Sequence, residues 1–227
     1  MPRGSIFVDS RLLALSELCG SCRVLADIGC DHGRLGAYML QRDLCACVQF
    51  ADISEASLEK ARRLVSTLGL SARALFHVGD GVAPLAQVPD VCVIAGMGGE
   101  TISGIVARGR ERLKTTRLVL QPNLMEAQLR KALMNLGFRI SDERIVCDGR
   151  RLYPVMAAEA GEARYDERAL LVGPVLMERR PAELYDYAKF KMQVAQKALS
   201  GMAAGGVDNE AMRRELAIWE EVAQWYG

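Results

Sequence analysis

The sequence predicts an α/β fold: a mostly parallel sheet with helices on both faces, closed by one antiparallel hairpin and followed by a helical appendage. Three observations carry that reading. Short apolar runs alternate with helical patterns through the first 160 residues, the pattern of strands joined by crossover helices. Asp148-Gly149 stands between two apolar runs, a strong hairpin signal. After Gly161 only helical periodicity continues. The expected division is an α/β domain over 1–160 and a helical connector and hairpin over 161–227.

A helix near 9–19, capped by Asp9 or Ser10, precedes the first strand at 23–28. Four more strands are expected at 47–52, 73–78, 91–95 and 117–121, with helices at 34–42, 54–69, 98–113 and 124–136. Ser54 suits an N-cap, and Gly69 and Gly137 suit the left-handed residue that ends a helix. Strands at 139–147 and 151–158 flank Asp148-Gly149. A short helical stretch at 166–179 is interrupted by Gly173-Pro174. Pro181 suits the first turn of a helix over 181–200, whose stripe is Leu184, Ala188, Met192, Ala195 and Leu199. The stretch from Gly201 to Gly206 should break it. A second helix over 208–225, starting at Asp208, repeats Met212, Leu216, Trp219, Ala223 and Tyr226. Two such stripes predict an antiparallel hairpin with coiled-coil-like packing.

Composition excludes several classes. The chain has 227 residues, half of them hydrophobic, enough for one core plus an appendage. Its apolar stretches fall far short of the ~20 residues of a membrane span, and no signal segment is visible, so a cytoplasmic protein with no membrane partner is expected. Cys19-x-x-Cys22 and Cys45-x-Cys47 have no second matching pair among the seven cysteines. No metal is therefore expected, and the cysteines read as small buried hydrophobes in a reducing compartment. Net charge is +1; residues 1–160 carry 20 basic and 17 acidic side chains, and 161–227 carry 9 and 11. Charge alone announces no nucleic-acid partner, and no obligate protein partner is evident.

The richest segment is Leu25-Ala26-Asp27-Ile28-Gly29-Cys30-Asp31-His32-Gly33. An apolar strand enters a glycine loop, where a cofactor can approach the backbone because glycine lacks a Cβ. A dinucleotide turn would need glycines at 29, 31 and 34; positions 31 and 34 are Asp and Arg. A pyrophosphate would meet Asp31, and two like charges ~4 Å apart cost about 4 kcal/mol at an effective dielectric of ~20. A cationic cofactor is attracted instead, and the sulfonium of S-adenosyl-L-methionine (SAM) meets that demand. A parallel sheet closed by an antiparallel hairpin is also the SAM-methyltransferase version of the Rossmann-like architecture.

Further candidates sit at the carboxyl ends of the strands. Asp27 either holds the cationic amino group of SAM or pins the following loop by accepting backbone N–H bonds. Asp52, with Ile53 beside it, lies 23 residues after Gly29, where a ribose diol is gripped; otherwise it caps a helix. Asp80-Gly81 can meet an adenine amino group and ring nitrogen, or form a plain turn. Ile94-Ala95-Gly96-Met97-Gly98-Gly99 faces the methyl acceptor. It lacks the Asp/Asn-Pro-Pro-aromatic group of exocyclic-amine methylases and offers small residues and exposed backbone groups. Gly96 is a cofactor candidate; Met97 and Gly98 are substrate candidates. A ring nitrogen such as adenine N1 has a free lone pair and needs orientation and a nearby negative charge more than a base. Asp31 is the candidate for that charge, and His32 for a polar substrate contact. Asn123 caps a helix at Leu124 or touches substrate. Arg108, Arg110, Arg112, Lys114 and Arg117 form either a solvated face or a phosphate site.

Together, Ala26-Asp27-Ile28-Gly29-Cys30-Asp31-His32, Gly79-Asp80-Gly81, Ile94-Ala95-Gly96-Met97-Gly98-Gly99 and Leu120-Gln121-Pro122-Asn123 closely resemble the bacterial TrmK family, SAM-dependent tRNA (adenine-22-N1)-methyltransferases. The resemblance covers nearly the whole chain. It implies SAM contacts at Asp27, Gly29, Asp52, Asp80 and Gly81, Asp31 near the chemistry, and tRNA as partner. Ala51-Asp52-Ile53 stands where the family often has Gly-Glu-Ile, with the same charge and a shorter reach. Competing readings are methylation of another RNA base or a small molecule, and an idle SAM-binding scaffold that recruits a protein through its helical hairpin. The missing glycines disfavour a nicotinamide oxidoreductase.

Overall fold

A computed structural model describes residues 6–204 and 209–227. The α/β part comprises α1 (Ser10–Cys19), β1 (Cys22–Ile28), α2 (Arg34–Gln41), β2 (Cys45–Asp52), α3 (Glu55–Thr67), β3 (Ala74–Val78), β4 (Val91–Met97), α4 (Gly99–Gly109), β5 (Arg117–Pro122), α5 (Glu126–Asn135), β6 (Phe138–Asp148) and β7 (Arg151–Ala160). One seven-stranded sheet runs in the order β3-β2-β1-β4-β5-β7-β6. The first five of these strands pair in parallel; β7 joins β5 and β6 antiparallel. The order reverses between β1 and β4, and that switch point opens a crevice beyond the carboxyl ends of the strands.

Local chemistry explains the elements. Asp9 accepts from the Leu12 amide and starts α1, and Ser54 accepts from Ser57 and starts α3. Gly69 and Gly137 carry φ of +67° and +80° after α3 and α5. Gly36 lets α2 lie directly on β2: a Cβ there would come within 2.4 Å of the Phe50 ring. Val48, Phe50, Val93 and Val119 are buried under the helices.

Two helices differ from expectation at their ends. The helix expected over 98–113 stops at Gly109. The residues beyond serve neighbouring loops: Arg110 Nε donates to the Leu136 carbonyl at 2.8 Å, and Arg112 donates to the Ala83 and Leu85 carbonyls. The next helix starts at Glu126, not Leu124, and Asn123 does not cap it. The Leu124 carbonyl accepts from Gly99 N–H and the Asn123 N–H donates to Met97. These cross-links hold 123–125 out of the helix, with Met125 left-handed at φ +64°.

Close contacts divide the chain between Arg164 and Tyr165. The second unit holds α6 (Glu167–Val172), α7 (Pro174–Arg179), α8 (Glu183–Ala204) and α9 (Glu210–Gln224). The long helix passes the expected stop at Gly201 and reaches Ala204. The expected start at Asp208 lies outside the described residues; Asn209 supplies the cap seen, accepting from Met212 at 3.0 Å. Early α8 meets late α9, so the two are antiparallel. Tyr185 packs on Tyr226, and Tyr187 meets Trp219 edge-on at 5.7 Å. No helix among the described residues is long and apolar enough to cross a membrane.

One polar pair sits inside the α/β core. Arg130 of α5 donates through Nε to Glu143 of β6 at 2.7 Å, each side chain 1% exposed. A buried pair contributes little over an apolar one, yet breaking it strands a charge, at about 3–5 kcal/mol. Arg130→Met is therefore expected to lower urea stability by that amount. Arg130→Met combined with Glu143→Leu should recover most of the loss; a double variant as unstable as the single would contradict this.

Candidate active site

A cleft of about 600 Å³ lies at the switch point. β1 and its loop bring Asp27, Gly29, Asp31 and His32; β2 brings Asp52 and Ile53. The turn after β3 brings Asp80 and Gly81, and β4 brings Gly96 and Met97. Gly98 and Asn123 are not on its wall. Gly98 instead precedes α4 as its cap.

Asp27 is buried at the floor and its Oδ2 accepts from the Gly36 amide at 3.2 Å. Burial pushes its carboxyl up to about 6; the Gly36 N–H opposes this and the Asp52 charge adds to it. The side chain thus ties β1 to the first turn of α2, beyond the loop it was expected to pin. At neutral pH it is mostly an anion.

Asp52 ties the rim together. Its Oδ1 accepts from Ser54 N–H at 2.9 Å and its Oδ2 from Asp31 N–H at 3.2 Å. A carboxylate has about four acceptor positions, so these two bonds leave capacity for a diol. The same bond fixes Asp31 in the left-handed region, at φ +48°, which Asp tolerates better than most residues. The Asp31 side chain stays 73% exposed, its Oδ1 3.6 Å from His32 Nε2. His32 Nε2 also lies 3.1 Å from the Lys60 ammonium.

Asp80 does not stand alone. Arg108 Nη2 reaches both of its oxygens, at 2.8 and 3.0 Å. The basic cluster read from the sequence is therefore largely spent within the fold. Arg110 and Arg112 hold carbonyls, Lys114 pairs with Glu111, and Arg117 with Glu159.

The end of β4 is clamped. β4 slips register against β5 between Ala95 and Met97, and Gly96 there has φ +77°. Gln121 Oε1 accepts from Gly96 N–H at 3.1 Å; Gln121 Nε2 donates to Asn123 Oδ1 at 3.0 Å; Asn123 Nδ2 donates to the Gly96 carbonyl at 2.7 Å. The Gly96 amide, one of the backbone groups expected to be exposed here, is thus taken by Gln121. Arg11 of α1 adds a second bond to Gln121 Oε1, at 2.9 Å, and lies over the Tyr153 ring. Met97 crosses back to the glycine loop, where a Cβ at position 29 would lie 2.1 Å from its methyl carbon.

Comparison with known proteins decides the family. A model of the TrmK family, tRNA (adenine(22)-N(1))-methyltransferase, matches residues 25–224. The chain belongs to the TrmK family. The Bacillus subtilis tRNA (adenine(22)-N(1))-methyltransferase is 30% identical over 220 residues, 92% of each chain. The crystal structure of B. subtilis TrmK superposes with a TM-score of 0.83 at 26% identity, covering 96% of this chain and 99% of that one. Mycoplasma capricolum TrmK, solved with S-adenosylhomocysteine, shares the fold at a TM-score of 0.78 and 18% identity, over 96% and 97% of the two chains.

Within this TrmK chain, sequence reasoning missed Arg11 and Gln121. Arg11 sits in a helix before the first strand with no motif around it. Gln121 was visible as the last polar residue of an apolar strand, and its full burial is the signal that could have raised it. Among the described residues no group of side chains could hold a metal, and the seven cysteines are free thiols.

The Asp27 carboxyl binds its proton more tightly in the folded chain than its ordinary value of 3.8. Its contribution to stability is present below about pH 4 and is lost as pH rises toward about 6. Asp27→Asn, which keeps an acceptor for Gly36, is expected to stabilise the ligand-free protein by about 2–3 kcal/mol at neutral pH. That gain should vanish below about pH 4. Urea unfolding across pH measures it; a pH-independent difference would contradict the assignment.

Proposed function

We infer that this chain methylates N1 of an adenine in tRNA, adenine 22 in the family's description, with SAM as methyl donor. The observation that carries the reading is the ring of carboxylates Asp27, Asp31, Asp52 and Asp80 around one glycine-floored cleft. The cradle fits the donor. Negative charge suits its sulfonium and amino group, and Gly29 and Gly81 line the wall between those carboxylates.

In this reading Asp27 holds the amino group of the methionine part, and Asp52 accepts from the ribose hydroxyls. Asp80 meets the adenine, with Gly81 beneath it and Ile53, 77% exposed, against its face. Gly29 and Gly96 line the donor's path. SAM supplies a methyl group on a cationic sulfur and leaves as neutral S-adenosylhomocysteine. The chain's own task is to orient N1, whose lone pair forms the new C–N bond. It must also stabilise the positive charge the ring then acquires. Asp31 faces that charge, its backbone held by Asp52. Gln121 and Asn123 hold the Gly96 loop in place, and Met97 and His32 border the base.

The catalytic part is the domain of residues 1–160, and 161–227 form the connector and hairpin; the break in contacts after Arg164 supports that division. The protein binds RNA and works in the cytoplasm, as its substrate requires.

Incubation of unmodified tRNA with protein and SAM, followed by reverse transcription, tests the activity. A methyl at N1 blocks pairing, so a new stop at adenine 22 is expected; no stop overturns the reading. Asp31→Asn preserves the left-handed backbone and should lower kcat about 100- to 1,000-fold with SAM affinity within about threefold. Equal loss of both would assign Asp31 to the cofactor. Asp52→Ala should weaken SAM binding about 10- to 100-fold; unchanged affinity by calorimetry removes it from the ribose site.

A further inference from the structure

A second hollow, of about 490 Å³, adjoins the cleft and shares His32 and Arg34 with it. Its apolar lining includes Leu64 of α3 and Leu68, which caps that helix. Its outer wall is the segment before α1. That segment is strapped down at two points: Ile6 N–H donates to Gln41 Oε1 at 2.9 Å, and Arg34 donates to the Phe7 carbonyl. The strap presents the Phe7 ring, 81% exposed, the most exposed of the large apolar side chains described. Lys60 stands opposite, one of its three N–H donors directed at His32. No carboxylate is among the described residues that line the hollow.

We propose that this hollow receives the nucleotide next to the target adenine in tRNA, with its base on Phe7 and its phosphate on Lys60 and Arg34. The inference rests on the tRNA reading above and adds to it a second contact site. The chemistry requires such a site. N1 lies on the pairing edge of adenine, so the base must leave its stack before the methyl can reach it. Its neighbour then loses a stacking face, which an exposed aromatic ring replaces. Apolar floor, aromatic wall and cationic rim match an unstacked base joined to a phosphate. Continuity with the cleft through His32 and Arg34 places that nucleotide one step from the reacting base.

The test compares Phe7→Ala, Phe7→Trp and Lys60→Ala in the full chain. Readouts are tRNA binding by anisotropy, SAH binding by calorimetry, and methylation kinetics. Phe7→Ala should raise the tRNA KM and Kd about tenfold, with SAH affinity within twofold. Phe7→Trp should restore both. Lys60→Ala should weaken tRNA binding and reduce the slope of log K against log salt by about one, which a purely structural role for Lys60 would not do. Unchanged tRNA affinity and salt slope overturn the proposal, as does an equal loss of SAH and tRNA binding in Phe7→Ala. If the parent protein leaves adenine 22 unmethylated, the function itself falls; if it methylates and the variants bind tRNA normally, only this site falls.

Discussion

The Asp52 carboxylate is the constraint on which the site depends. It sits where β2 ends and grips two backbone amides, one in the glycine loop after β1 and one in the turn into α3. One bond starts the turn into α3; the other holds the glycine loop in a left-handed kink at Asp31. Without it the loop would lose the anchor that turns the Asp31 side chain outward. A single anion thus organises two neighbouring loops while keeping acceptor capacity for a ligand. Asp27 repeats the arrangement one strand over, with Gly36 as donor. Each carboxylate is a structural fastener that also stands on the wall of the cleft.

The acceptor side solves a different problem. A glycine at a strand irregularity has no side chain to hold its position. Gln121 and Asn123 do so instead, closing a ring of three hydrogen bonds around Gly96. Because Gln121 is wholly buried, its amide geometry is set by packing as well as bonding. Arg11, arriving from a helix outside the sheet, fixes the same oxygen. The loop is therefore held in place without the proline pair of exocyclic-amine methylases.

Much of this was legible from the chain. Periodicity and the Asp-Gly turn specified all seven strands: most are short, largely apolar runs between polar breaks, and β6, whose run is broken by Ser141-Asp142-Glu143-Arg144, was legible from the turn that follows it. The acidic positions were legible because they fall directly after those runs. What stayed hidden depends on contacts distant in sequence. Arg11 meets Gln121 across 110 positions, and no local pattern encodes that. The basic run from Arg108 to Arg117 looked free because its partners, Asp80, Ala83, Leu85 and Leu136 among them, lie far along the chain. The start of α5 moved by two residues because Leu124 gives its carbonyl to Gly99, a tertiary bond that outweighs propensity.

Met97 over Gly29 has a consequence for how this sequence can drift. The thioether's terminal methyl fills the volume that any side chain at position 29 would need. Position 29 is therefore closed to free replacement twice over: a side chain there must displace the end of Met97 and also hold a left-handed backbone at φ +65°. Change in the glycine loop is thereby tied to what the end of β4 carries.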